Sequence, residues 1–282
     1  MACEHCGDTG WRRIEREGVE HVQRCDCWRE TFVTSVLGDA GIPPRFQRSE
    51  LGTYLPDTDS QRDAIRRARA FVEAFPAVDK GLLFYGPSGV GKTHLAVGVL
   101  KEVVRRSGAK SFFFETRALL RMVRDTYNRS VEETEMDVLR PVLDAELLVL
   151  DDLGAERTSE WVQETLGLVV NTRYNAKRAT IVTSNLHDPL DSADPNSFMF
   201  QVGVRTRSRL LEMCHWVPVQ GPDIRDQERS SAAARTGRLP ADPSNIKKKG
   251  LPHKSGGMAV ARLREDRSHL DLKWPGGRGG TQ

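Results

Sequence analysis

Gly81-Leu-Leu-Phe-Tyr-Gly-Pro-Ser-Gly-Val-Gly-Lys-Thr-His-Leu-Ala96 decides how the rest of the chain is read. Leu82 to Tyr85 is an apolar run of strand length, and a glycine-rich turn follows it. From His94 to Arg106, Leu95, Val99 and Val103 recur on one helical face, and Ser107-Gly108 ends the pattern. The turn, Gly86-Pro-Ser-Gly-Val-Gly-Lys92-Thr93, fills G-x-x-x-x-G-K-[ST] at every fixed position, between a strand and a helix. Its glycines let the backbone curl so that N–H groups point at phosphates. The helix behind it adds the partial positive charge of its N-terminus. Gly86, Pro87, Ser88, Gly89, Val90 and Gly91 are therefore the expected cradle for the phosphates of ATP. Lys92 is expected to reach the β- and γ-phosphates, and Thr93 to hold Mg²⁺.

Working outward, strands and helices alternate. Ser111–Phe114, Leu147–Leu150 and Thr180–Thr183 read as strands, and Arg117–Asn128 and Glu160–Tyr174 as helices. Trp216–Val219 reads as an edge strand, because Pro218 does not suit the middle of a sheet. Upstream, Ala64, Ile65, Ala68, Val72 and Phe75 mark a helix over Ser60–Phe75, stopped by Pro76. Gly41-Ile-Pro-Pro-Arg-Phe46 is expected to be extended, since two prolines oppose helix there. Trp28–Leu37 reads as a short helix ended by Gly38. Fully apolar strands alternating with helices predict an α/β fold, a parallel sheet covered on both faces.

A phosphate loop needs an acidic partner at a neighbouring strand end. Leu147-Leu-Val-Leu-Asp151-Asp152 supplies one. Asp151 is expected to position Mg²⁺ and Asp152 to polarise the attacking water. The next strand runs into Thr183-Ser184-Asn185, where Asn185 is placed to orient that water.

Four of the five cysteines lie in the first 27 residues, as Cys3-x₂-Cys6 and Cys25-x-Cys27. That grouping predicts a structural four-thiolate Zn²⁺ site, with Gly7 and Gly10 permitting its turn and His5 and His21 as substitute ligands. Cys214 stands alone and reads as a small buried residue. Arg117, Arg121 and Arg124 fall on one face of their helix, with Leu119, Leu120, Val123 and Tyr127 on the other. Such a cationic stripe fits either a solvated face or a contact with single-stranded DNA.

The 282 residues carry a net charge of +3, unevenly spread. From Arg229 onward, twelve cations minus four anions leave +8, so the rest carries −5. This basic end, rich in Ser, Gly and Pro, fits a polyanion contact or a solvated, disordered tail. No apolar run reaches the ~20 residues of a membrane span, so a soluble, cytoplasmic protein without a membrane partner is expected.

Several stretches together resemble the DnaC/DnaI branch of the AAA+ ATPases. They are the loop above, Leu147-Leu-Val-Leu-Asp-Asp-Leu-Gly-Ala-Glu156, Thr180-Ile-Val-Thr-Ser-Asn-Leu186, Gly41–Phe46, Asn171–Asn175 and Ser208-Arg-Leu-Leu-Glu-Met-Cys214. Cys6-Gly-Asp-Thr-Gly-Trp11 resembles the zinc segment that precedes many such domains. The resemblance implies the AAA+ strand order, a reduced lid after Leu186 and ATP hydrolysis in a homo-oligomer built through the ATP site. It implies an arginine finger at Arg209, with Arg205 and Arg207 as rivals, and a phosphate sensor at Arg225. It also suggests Arg173 as a further interface arginine. The expected layout is a zinc segment and short helix over 1–40, the ATPase domain over 41–228 and the basic tail over 229–282. The implied role is loading a replicative helicase onto single-stranded DNA. The alternatives are an IstB-like ATPase assisting a transposase on duplex DNA, and a DNA-binding module gated by nucleotide that barely hydrolyses it.

Overall fold

The computed structural model describes residues 3–7, 9, 11–16, 19–128, 132–187, 194 and 197–224. The chain divides into two units, Met1–Arg238 and Leu239–Gln282, and every described residue belongs to the first. Arg225, Gly10 and the expected basic tail lie outside the described residues.

Strands β1 (Trp11–Arg16) and β2 (Val19–Arg24) pair antiparallel as a hairpin. The sequence does not announce them, because charged residues such as Arg12, Arg13 and Glu20 blur any apolar alternation. Helix α1 (Asp26–Asp39) begins earlier than Trp28 and runs through Gly38 instead of ending there. Glycine inside a helix costs about 1 kcal/mol. Packing of Val33, Val36 and Leu37 against the core outweighs that cost. The following segment also departs from expectation. Pro44–Phe46 forms a 3₁₀ turn with a proline at its start, where the missing N–H would have had no partner anyway.

Helix α2 (Asp59–Ala74) opens with a reciprocal cap between Thr58 and Gln61 and buries Ala64, Ile65, Ala68, Phe71 and Val72. Five parallel strands then form the central sheet: β3 (Gly81–Tyr85), β4 (Ser111–Glu115), β5 (Leu147–Asp151), β6 (Ala179–Ser184) and β7 (Cys214–Pro218). Their spatial order is β4-β5-β6-β3-β7, so Pro218 sits on an edge strand. The connecting helices are α3 (Lys92–Ser107), α4 (Thr116–Asp125), α5 (Glu135–Asp144), α6 (Glu160–Asn175), α7 (Phe198–Val202) and α8 (Val204–Met213). Helix α5 has its own signals, a reciprocal cap between Thr134 and Asp137 and the apolar face of Val138, Leu139 and Val142, but it is short and Pro141 inside it opposes a helical reading.

Side chains alternate across the sheet. Leu82, Phe84, Val149 and Ile181 join α2 and α3 on one face. Leu83, Leu148, Leu150 and Val182 join α4, α5, α6 and α8 on the other. Burial on both faces explains why these strands are continuous apolar runs. The carboxyl ends of β3, β5 and β6 converge, which places the phosphate loop beside Asp151, Asp152 and Asn185. Among the described residues, no helix is long and apolar enough to cross a membrane.

Candidate functional site

The cleft at these strand ends has a volume of about 520 Å³, a usual size for a small-molecule site. Ser88, Gly89, Gly91, Lys92, Thr93, Asp151, Asp152, Thr183 and Asn185 line it. Gly91 caps α3 with a φ of 96°, and a Cβ there would meet the Tyr54 ring at 2.6 Å. Gly86 has a φ of 144°, and a Cβ there would lie 2.1 Å from the Val219 carbonyl oxygen. Only glycine fits either position. The Tyr54 hydroxyl donates to the Val90 carbonyl at 3.2 Å and so fixes the loop from outside. The Lys92 ammonium donates to the carbonyls of Gly86 and Pro87, at 2.8 and 2.6 Å. It is thus curled into its own loop, at the mouth of the cradle.

Asp151 is 8% exposed, and burial raises its pKa above the ordinary carboxylate range. One of its oxygens accepts from the hydroxyls of Thr93 at 2.8 Å and Thr183 at 2.6 Å. A buried carboxylate beside a threonine hydroxyl, facing a phosphate loop, is a hard-oxygen donor set that suits Mg²⁺. Asp152 adopts a φ of 57°, rare for a residue with a side chain. Its backbone N–H donates to the Thr183 hydroxyl at 2.9 Å, and the Asn185 amide donates to its carboxylate. The unusual backbone turns the second carboxylate into the cleft. Pro43, Arg45 and Phe46 also line the cleft, a contribution that the sequence motif does not reveal.

The arginines of α8 separate by direction. Arg207 stacks its guanidinium 6.0 Å from the Trp216 ring centre, toward the sheet. Arg205 and Arg209 share the other side, where the Arg209 guanidinium donates to the Arg205 carbonyl at 3.5 Å. Neither lines the cleft of its own chain. Arg173 corrects the expectation of an interface arginine. It is fully buried, and its guanidinium donates to the carbonyls of Val142, Ala145 and Ala179 and to the Thr180 hydroxyl. Burial lowers its pKa to about 9, still above neutrality, so it stays charged.

At the N-terminus, the sulfurs of Cys3, Cys6, Cys25 and Cys27 lie within 4.8 Å of one another. Cys3 and Cys25 are 3.8 Å apart, Cys6 and Cys27 3.2 Å. A tetrahedral zinc with bonds of ~2.3 Å requires sulfurs about 3.8 Å apart, so the cluster fits that ion. Gly7 takes a φ of 54° in the turn that brings Cys3 and Cys6 together. Among the described residues, His5 and His21 are not part of this cluster. Cys214 is buried, and its thiol is pushed up to about 12 by burial.

On α4, Leu119, Leu120 and Val123 are buried, while Arg117, Arg121 and Arg124 are exposed. Tyr127 lies beyond the helix end and is 56% exposed, not on the apolar side. The Arg124 guanidinium lies 4.7 Å above the Trp161 ring, and the Trp161 indole N–H donates to the Tyr127 hydroxyl at 3.1 Å. Cations and aromatics therefore form one patch across α4 and α6. Helical spacing within α4 cannot reveal Trp161, which comes from another element.

The family model described as "IstB-like ATP binding protein" matches residues 57–232. The chain is 27% identical over 172 residues to the replicative helicase loader DnaC of Escherichia coli strain K12, covering 61% of this chain and 67% of that protein. A crystal structure of the DnaC helicase loader superposes with a TM-score of 0.56 and 33% identity, over 63% of this chain and all of the other. The DnaI crystal structure, 24% identical over 64% of this chain and 93% of its own, has a TM-score of 0.52 and shares the fold. Parallel sheet, phosphate loop and paired acids thus occur in a chain that belongs to the IstB-like ATP-binding family, as a DnaC-like AAA+ protein.

Proposed function

We propose that this protein is a helicase loader, an ATP-driven switch that assembles on a replicative helicase and single-stranded DNA. The observation that carries the reading is the likeness to the DnaC helicase loader, which spans the whole of that chain at 33% identity. The cleft supplies the ATPase part. The backbone N–H groups between Ser88 and Gly91 face the phosphates, and Lys92 turns from its loop carbonyls to the β- and γ-phosphates. Thr93 and Asp151 are the residues that would hold Mg²⁺. Bound there, Mg²⁺ would offset phosphate charge. Asp152 accepts hydrogen bonding from the attacking water, and Asn185 fixes the orientation of that carboxylate. Arg209 serves a neighbouring subunit, with Arg205 on the same side of α8 as its rival. Arg225 is assigned as phosphate sensor from its motif alone. Cys3, Cys6, Cys25 and Cys27 hold a structural Zn²⁺ that leaves no coordination position open.

The exposed Arg121, Arg124 and Tyr127, grouped around the half-buried Trp161, support the DNA part. Cations follow the phosphates and aromatic faces stack with bases. A second reading, an IstB-like ATPase working with a transposase, has only the family-level match behind it. The N-terminal cysteine cluster favours the loader, because IstB-like proteins resembling this chain usually begin with a helical domain. Affinity capture with the intact protein and ATP tests the choice. Recovery of a hexameric helicase supports the loader, and recovery of a transposase without the helicase refutes it.

A further inference from the structure

Arg117 is engaged differently from the other arginines of α4. Its guanidinium donates to the carbonyl of Ala155, in the turn that follows Asp152. Its neighbour Thr116 is fully buried, and the Thr116 hydroxyl donates to the Asp151 carbonyl at 2.9 Å. The first two residues of α4 therefore grip the segment that carries Asp152 from both sides.

Inside that segment, the Ala155 N–H donates to the Asp152 carbonyl at 3.3 Å. Glu156 accepts from the Gly154 N–H at 3.3 Å with one oxygen. Its other oxygen is buried and has no hydrogen-bond partner among the described residues. Burial raises the Glu156 pKa and the charge of Asp152 adds to the rise, while Arg117 opposes it. A buried carboxylate without a partner on that oxygen is costly unless a cation stands near. Arg117 is such a cation, so the turn is held by one hydrogen bond and one charge from α4. Asp152 itself sits at a φ of 57°, a conformation that persists only where its surroundings enforce it.

We propose that Arg117 is a positioning residue for the Asp152 carboxylate, acting through the turn 152–156, and is not a third cation for nucleic acid. The inference rests on ATP hydrolysis as proposed above. It assigns the three arginines of one helix face to two tasks. Arg121 and Arg124 remain available to phosphates outside, while Arg117 keeps the carboxylate aimed at the water.

The test compares full-length wild type, Arg117→Ala, Arg117→Lys and the Arg121→Ala/Arg124→Ala double variant. Steady-state turnover gives kcat and KM for MgATP, and fluorescence anisotropy with oligothymidylate gives DNA affinity. Amide exchange across 152–156 is read without nucleotide. Arg117→Ala is expected to lower kcat about tenfold to 100-fold, as small misplacements of a reacting group do. Its KM and DNA affinity should stay within about twofold, and the exchange of the turn should accelerate. Arg117→Lys should recover part of kcat, since an ammonium can still reach the carbonyl. The double variant should lose DNA affinity without accelerating the exchange of the turn. Unchanged kcat in Arg117→Ala, or a loss of DNA affinity matching the double variant, overturns the proposal. A wild type without turnover would instead defeat the hydrolysis reading, and the exchange measurement then decides the grip alone. Unchanged exchange in Arg117→Ala overturns it.

Discussion

Arg173 lies wholly inside the protein and faces the last carbonyls of α5, where a helix end leaves acceptors without partners. Among the described residues no carboxylate pairs with it, so its charge is balanced by carbonyl oxygens and the Thr180 hydroxyl. Replacing it with Met would leave those acceptors buried and unpaired, at a cost of about 3 kcal/mol or more. Urea denaturation of Arg173→Met should show this as a lowered midpoint, and Arg173→Lys should recover only part, having fewer donors and no planar fork. A midpoint equal to wild type would mean that water reaches these carbonyls. Lys92 poses the opposite case, a cation expected to leave its carbonyl partners for a ligand. Losing a charge-assisted bond to phosphate weakens binding by roughly 10- to 100-fold. Titration of Lys92→Ala with a fluorescent ATP analogue measures it, and equal affinity in both proteins would remove the lysine from the site.

At the scale of elements, the proposed zinc site would make the Cys3–Cys27 segment depend on a metal more than on a core. Trp11 and Val22 of the hairpin are both exposed, so little apolar surface holds it together. The protein should purify with one Zn²⁺ per chain, and chelation should release the hairpin from exchange protection while the sheet keeps its own. A metal-free chain whose hairpin remains protected would refute the site. The segment after Pro43 is strapped onto α3 by different chemistry. Glu50 accepts from Arg105 and from the buried Lys101, at 3.2 Å for the lysine and 2.6 Å for the arginine. Those bonds, the one to Arg105 first, hold its carboxyl below the usual carboxylate range. A depressed folded pKa gives stability that is complete above about pH 4.3 and lost as pH falls through the folded value. Glu50 is part-exposed, so the effect is below about 1 kcal/mol. Acid titration of Glu50→Gln should lose that portion of the low-pH limb and leave neutral stability lower by the same amount. The sequence made the phosphate loop and acidic strand legible because each is a fixed local spacing with a mechanism. Contacts between distant elements were not legible in that way. The Thr183 bond to Asp151, the Arg45 wall of the cleft and the Trp161 platform under Arg124 arise only when separate strands and helices meet. The hairpin stayed hidden because its charged residues blur any alternation, and α5 because Pro141 interrupts a short helical pattern.

On the scale of the whole molecule, the proposed arginine finger would have to serve the ATP site of a second copy of the chain. The cleft contains Lys92 and the carboxylates of Asp151 and Asp152. Arg209 lies on α8, outside that cleft, and its guanidinium donates to the Arg205 carbonyl of its own helix. A cation at the γ-phosphate stabilises transition-state charge by about 10³–10⁵ in rate, so its supply from a neighbour would make turnover depend on assembly. Specific activity should therefore rise with protein concentration. The decisive arrangement mixes Arg209→Ala subunits with Asp152→Asn subunits. Each variant alone should have almost no turnover, because every interface lacks either the finger or the carboxylate. In the mixture, some interfaces bring an intact Asp152 on one subunit against an intact Arg209 on the next, and activity should return in proportion to their number. Repeating the mixture with Arg205→Ala in place of Arg209→Ala separates the two arginines on that side of α8. The finger is the arginine whose loss is complemented after being fatal alone. Co-assembly shown by native mass spectrometry, with no activity regained in either mixture, would mean that both arginines act within their own subunit or not at all.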